Sequence, residues 1–232
     1  MGYLVSVVIP IRHNDLFMNR AIRSIQDSSY KNVEILVVDE GKERGEQKNM
    51  GFRRAKGEYV LFLDSDMTIH PYLIEEAVIR LGNVDGLYIP EIIVGDGFWI
   101  RVRNFERSFY NGSNVDCIRF IRHDAFIPFD EKHTGIEDWD WDRRFKGAKE
   151  ITHYPLYHHE KWDVRKYVER KKYYAKDFEE YKKRYGDKES PLNPLYRLEL
   201  LGRKWYKLIR HPILVIGVLC LMVIKARVLW RG

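Results

Sequence analysis

The chain has 232 residues, 45% of them hydrophobic and 32% charged, which suits one α/β domain with an appendage and a globular core rather than a disordered chain. Its formal net charge is +6; lysine and arginine crowd residues 161–231 while 1–150 mix both signs, so the C-terminal third is expected to meet an anionic partner such as headgroups, a lipid phosphate or nucleic acid. Cys117 and Cys220 lie in unlike surroundings without metal-type spacing, which argues against a disulfide and reads as a cytosol-facing chain.

Residues 4–9 form an apolar run rich in β-branched side chains, expected as a strand buried on both faces. The wider apolar stretch 3–11 is too short for a signal peptide, ends beside Pro10 and offers no small-residue cleavage site. Asn14 or Asp15 can cap a helix over 16–27 with Ala21, Ile22 and Ile25 inward. Residues 33–38 read as a second buried strand ending in Asp39, and 47–56 as a helix stopped by Gly57. A third strand, 59–63, runs directly into Asp64-Ser65-Asp66. Pro71 opens a helix whose apolar face is Leu73, Ile74, Ala77, Val78 and Leu81. This alternation predicts a parallel, doubly wound sheet, in which ligands bind beyond the carboxyl ends of the strands, where Asp39 and the 64–66 triplet stand.

Further on, 87–94 reads as a strand, 98–110 as a helix, 115–121 as a strand, 138–145 as a short helix and 150–158 as a last strand. Residues 163–185 read as one basic, aromatic-rich helix, 186–194 as a linker, 195–208 as an amphipathic helix and 213–224 as wholly apolar. Extended to Trp230 by snorkelling Lys225 and Arg227, that run reaches roughly 27 Å against a bilayer core of about 30 Å. The expectation is a membrane anchor, with a surface-lying helix or a buried helix closing the domain as alternatives.

Two carboxyl-rich stretches carry the chemistry. Asp64-Ser65-Asp66 can offer hard oxygen ligands to Mg²⁺ or Mn²⁺, the ions suited to a diphosphate; alone, such a triplet is as easily a polar turn. Residues 135–144 set Glu137, Asp138, Asp140 and Asp142 among Trp139 and Trp141, where crowding can raise a carboxyl pKa toward that of a general base. The plain alternative is a helix N-terminus that favours acids.

With Ser6-Val7-Val8-Ile9-Pro10, Val33-Glu34-Ile35-Leu36-Val37-Val38-Asp39-Glu40-Gly41, Glu46-Gln47-Lys48-Asn49-Met50-Gly51, residues 55–66 and residues 135–144 in order, the chain resembles glycosyltransferase family 2, an inverting family of the GT-A fold. The layout also resembles archaeal membrane mannosyltransferases with a reduced cellulose-synthase-like plan. The resemblance implies a Rossmann-like, mostly parallel catalytic domain at 1–160, basic amphipathic interface helices at 161–211 and a membrane helix at 212–232. It implies that Pro10, Arg12, Asp39, Lys48, Asp64 and Ser65 meet the nucleotide-sugar donor, that Asp66 and His158 hold Mn²⁺ or Mg²⁺ (His159 being the rival histidine), and that Asp138, with Glu137, is the catalytic base. Trp139, Arg165, Arg170 and Lys171 are expected at the acceptor or its lipid phosphate. Asp39 is followed by Glu40 rather than a second aspartate, and a Gln-x-x-Arg-Trp motif is absent, which argues against a processive polymer synthase.

The expected activity is transfer of a sugar, first mannose from GDP-mannose, to a hydroxyl of a membrane lipid-linked glycan, at a membrane with the catalytic domain cytoplasmic. A polyprenyl-phosphate sugar synthase and a non-catalytic nucleotide-sugar-binding adaptor are the alternatives. A nucleotidyltransferase would need a glycine-rich loop where Pro10-Ile11-Arg12-His13 stands, and no nucleic-acid-binding module pattern occurs.

Overall fold

The computed structural model describes residues 2–11, 17–186 and 188–230; Arg12 and the expected caps Asn14 and Asp15 lie outside the described residues. The first half alternates as expected: β1 (Val5–Pro10), α1 (Met18–Gln26), β2 (Val33–Val38), α2 (Arg44–Arg54) and β3 (Tyr59–Phe62). β1 pairs in parallel with β2 and β3, is buried along its whole length, and leaves β2 as a half-buried edge strand rather than a fully buried one. Ala21 and Ile25 of α1 pack into the core on one side of the sheet, together with Leu73, Ile74 and Ala77 of α3 (Leu73–Arg80). A second cluster on the other side joins Val8, Val60 and Phe62 to Phe129 and Trp141.

The sheet is mixed rather than doubly wound throughout. It continues through β7 (Ile118–Arg122), β5 (Gly86–Tyr88) and β8 (Lys149–Ile151) in the order β2-β1-β3-β7-β5-β8. β7 runs antiparallel to both β3 and β5, because it starts at the edge where β3 ends and returns across the sheet.

A second, three-stranded sheet has the order β4 (Met67–Ile69), β9 (Leu156–His159), β6 (Glu91–Val94). The runs 87–94 and 150–158, each expected as one strand, are both divided by a proline. Pro90 and Pro155 have no N–H to donate to a ladder, so each run splits between the two sheets. Leu156 N–H then donates to Pro90 O at 2.9 Å.

The expected helix 163–185 is two helices, α6 (Val164–Ala175) and α7 (Phe178–Tyr185). Asp177 between them is pinned by Thr134, whose N–H and hydroxyl both donate to its carboxylate, at 2.5 and 3.1 Å. After the linker come α8 (Pro194–Arg203), α9 (Trp205–Arg210) and α10 (Pro212–Trp230).

α10 gives no support to a spanning anchor: no helix among the described residues is long and apolar enough to cross a membrane. One face of α10 is committed to protein, with Val218 and Leu221 buried against Val102 and Phe105 of α4 (Phe98–Arg107) and Tyr167 of α6. A Cβ on Gly217 would come within 2.4 Å of Val102 Cγ2, so the glycine is what lets the two helices approach. Lys225 Nζ pairs with Glu106 at 2.5 Å across the same junction. The opposite face exposes Ile213, Ile216, Leu219 and Val223.

Truncating the packed face should therefore cost stability where truncating the open face does not. Leu221→Ala should lower the unfolding free energy by about 2–5 kcal/mol, and Leu219→Ala by no more than about 0.5 kcal/mol. Denaturant titration compares them; equal, small losses would mean that α10 is not part of the folded domain.

Candidate active site

The carboxyl ends of β1 and β3 open into a cleft of about 1000 Å³ lined by Pro10, Asp64, Ser65, Asp66, Glu137, Asp138, Trp139 and His158, and on its far wall by α6, α8 and α10. The volume is at the upper end of ordinary ligand sites. Asp64 stands two residues past the end of β3, and β7 lies beside that strand end, so Arg119 Nη1 reaches Asp64 Oδ2 at 3.1 Å. Burial alone would raise the Asp64 carboxyl, but Arg119, then Arg44 and Lys48, hold it well below the usual aspartate range.

The β4–β9 pairing puts His158 opposite Met67, next to Asp66. His158 Nε2 lies 3.2 Å from Asp66 Oδ2, and Nδ1 lies 2.8 Å from Glu91 Oε1. Burial lowers the imidazole's proton affinity, yet the bonds to Asp66 and Glu91 overcome it and raise its pKa to about 10. Successive strand residues face opposite ways, and His159 accordingly bonds Thr68 Oγ1 at 2.9 Å and does not line the cleft. An imidazole held through its other nitrogen by a carboxylate, with a second carboxylate at its free nitrogen, is a donor set that fits a divalent cation. Glu91 supplies that orientation, and sequence reasoning missed it.

Asp130, His133 and Asp140 also converge closely enough to hold an ion. None of the three lines the cleft, and Arg184 Nη1 already bridges Asp140 at 2.9 Å and Asp130 at 3.5 Å.

Glu137 and Asp138 open α5 (Glu137–Arg144). Lys48 of α2 was expected near the donor phosphates; its Nζ is instead buried, 2.5 Å from Asp138 Oδ1 and 3.8 Å from Glu137 Oε1, and the residue is absent from the cleft lining. Asp138 and Glu137 raise the lysine's pKa against the pull of burial. Burial and the charge of Asp138 push the Glu137 carboxyl up, so the neighbours differ: Glu137 is shut in, while the Asp138 side chain keeps 28% exposure to the cleft. The cation that does face the cleft from α2 is Arg44, one helical turn before Lys48, in the field of Asp64, Glu137 and Asp66. The helix expected over 47–56 starts three residues late, which leaves Arg44 out of it and out of the expected site.

The remaining expected residues divide. Trp139 lines the cleft, its indole N–H held by Val115 O at 3.2 Å. Arg170 and Lys171 line it too, but Arg165 does not: it is exposed on α6. The lining residues Lys166, Glu169, Arg170, Tyr173 and Tyr174 follow helical spacing, and Arg165 lies off that face. Asp39 stands exposed past β2 and is not among the lining residues.

Residues 40–171, more than half of the chain, match the sequence profile described as Glycosyl transferase family 2. An uncharacterised glycosyltransferase of Rickettsia felis is 28% identical over 158 residues, covering 57% of this chain but only 24% of that protein, so the chain spans about a quarter of that relative's length. Among solved structures, a mannosyltransferase of Pyrobaculum calidifontis in complex with GDP-Man and Mn²⁺ superposes with a TM-score of 0.58 at 15% identity, over 98% of this chain and 76% of its own. The S. aureus TarS 1–349 complex with UDP-GlcNAc gives 0.52 at 15% identity, over 89% of this chain and 73% of its own. These likenesses are to α/β folds of the GT-A type.

The ion pair at Asp64 yields a test of this geometry. Arg119→Met leaves a buried carboxylate without its main partner and should cost about 3–5 kcal/mol of stability at neutral pH. Because the Asp64 pKa is depressed by folding, that contribution is complete above the ordinary aspartate value and is lost as pH falls below it. The gap between variant and parent should therefore narrow in acid; urea unfolding at pH 7 and near pH 3 measures it, and a pH-independent gap would remove Asp64 as its source.

Proposed function

The chain belongs to glycosyl transferase family 2, and on that premise we propose that it is an inverting, metal-dependent glycosyltransferase that uses a nucleoside diphosphate sugar. The observation that carries this reading is the convergence, in one cleft, of Asp64, Asp66 and His158 from strand ends with Asp138 from a helix start. A Mn²⁺ or Mg²⁺ ion held by Asp66 and His158 would offset the charge that develops on the departing diphosphate. Arg44 is placed to share that task, as preorganised positive charge aimed at the leaving group.

Asp138, open to the cleft on one side and anchored by Lys48 on the other, accepts the proton of an acceptor hydroxyl. That oxygen forms its bond to the anomeric carbon as the bond from carbon to the diphosphate oxygen breaks, and an α-linked donor gives a β-linked product. A phosphate nucleophile is already ionised and needs no base, so the Asp138 position favours a hydroxyl acceptor over a polyprenyl phosphate.

The donor is proposed first as GDP-mannose, on the likeness to the mannosyltransferase; the TarS likeness makes UDP-GlcNAc the competing donor to test. In this reading residues 1–160 carry the donor and the reaction, while 161–211 and 212–232 form the acceptor wall. The acceptor is a membrane lipid-linked glycan, and the protein works at the cytoplasmic face of a membrane. The exposed side chains Leu195, Trp205, Ile209, Ile213 and Ile216, beside basic residues, support a helix group lying on a bilayer surface rather than crossing it.

Asp138→Asn should abolish sugar transfer, by about 10²-fold or more, and leave nucleotide affinity within about twofold. Transfer assays paired with calorimetry against GDP- and UDP-sugars, with and without Mn²⁺, make the comparison. Undiminished turnover would take Asp138 out of the mechanism, and donor binding by the parent chain without any transfer would favour the non-catalytic nucleotide-sugar-binding adaptor.

A further inference from the structure

The cleft has a second end that the transfer chemistry does not use. Its lining there comes from α6, α8 and α10 and includes Arg170, Lys171, Arg197, Leu198, Met222 and Lys225. Arg103 of α4 adds to the same field. Among the described residues, two carboxylates form ion pairs with three of these five cations. Glu106 takes Lys225 at 2.5 Å, and Glu160 takes both Arg103 and Arg170, at 2.6 and 2.8 Å.

Neither Lys171 nor Arg197 has a carboxylate ion pair among the described residues. Arg197 Nε donates to Pro191 O at 2.7 Å and its guanidinium lies over the Tyr110 ring. Lys171 Nζ lies over two ring faces, at 5.5 Å from Tyr167 and 5.6 Å from Tyr174. Burial, with Lys225, Arg103 and Arg170 nearby, holds its ammonium well below the usual lysine range. The Tyr167 hydroxyl is buried in the same surroundings, and among the described residues it has no hydrogen-bond partner.

Two partly buried cations without a carboxylate partner, beside a buried orphan hydroxyl, form an arrangement that an anion would complete. The non-polar lining beside them, Leu192, Leu198, Met222 and Ala226, is the wrong surface for a purely hydrophilic anion. Leu198 is also more than half exposed, and Leu195 nearly three-quarters, so this apolar side reaches the outside of the molecule.

We propose that this end of the cleft binds the phosphate ester of an amphipathic acceptor, with Lys171, Arg197 and Lys225 holding the phosphate and Leu198 and Met222 flanking its apolar chain. The proposal rests on the glycosyl-transfer reading of the same cleft and deepens it: the phosphate is a handle, and the hydroxyl that reacts lies toward Asp138.

The test is a titration of the full chain, followed by tryptophan fluorescence or calorimetry, with dodecyl phosphate below its micellar concentration, inorganic phosphate, and dodecyl maltoside as the uncharged amphiphile. Nucleoside diphosphate binding with Mn²⁺ is measured on the same samples. Dodecyl phosphate should bind at least about tenfold more tightly than either control, and both Lys171→Gln and Arg197→Gln should weaken it by about tenfold or more, with nucleotide affinity unchanged. Equal binding of dodecyl phosphate and inorganic phosphate would overturn the amphipathic acceptor in favour of a soluble phosphorylated one. Equal binding of dodecyl phosphate and the maltoside would overturn the anion site. If nucleotide binds while dodecyl phosphate does not, this inference fails alone; if dodecyl phosphate binds and no nucleotide does, the transfer reading fails and the anion site stands.

Discussion

Carboxylates gathered at the ends of neighbouring strands repel one another, and this cleft holds together because buried cations stand between them. Arg119 faces Asp64, Lys48 faces Asp138 and Glu137, and His158 bridges Asp66 and Glu91. Each of these contacts joins elements distant in sequence: β7 to the end of β3, α2 to the start of α5, and β9 to the turn before β4. Removing one partner would leave a charge in a low-dielectric interior, which is why such pairs tie the site's geometry to the fold. The same pairs separate the roles of adjacent acids, with Glu137 enclosed and Asp138 open to the cleft.

Much of this was legible in the sequence because strand ends and helix starts are marked by strong local signals. The apolar runs at 4–9, 33–38 and 59–63 located the first three strands, and the acids that follow them were placed beyond their carboxyl ends. Pairing partners were not legible. Nothing local distinguishes Arg119, which meets Asp64, from Arg122, which lies on the more exposed end of β7. Pro90 and Pro155 were visible as residues, but whether a proline ends a strand or merely marks its edge depends on which sheet each half joins. Arg165 was grouped with Arg170 and Lys171 by proximity in sequence, whereas a helix sorts residues by its 3.6-residue turn. The apolar run at 213–224 carried the membrane-like signal, yet Gly217 and Lys225 are the residues by which α10 docks on α4.

The two ends of the cleft differ in charge. Around the strand ends the excess is acidic, suited to a divalent cation; toward α6, α8 and α10 it is basic and bordered by apolar side chains. On the proposed reading, a donor held through a cation and an acceptor held directly by basic side chains occupy one cavity without competing, meeting where Asp138 faces the gap. The C-terminal helices, read first as an attachment to the domain, contribute one wall of that cavity.

The most direct measurement is the position of the metal. Crystals grown with Mn²⁺ and a nucleoside diphosphate, with anomalous differences collected at the manganese edge, should show the ion between Asp66 Oδ2 and His158 Nε2, in contact with the diphosphate. An ion found instead among Asp130, His133 and Asp140, or a nucleotide bound away from Asp64 and Asp138, would contradict the account.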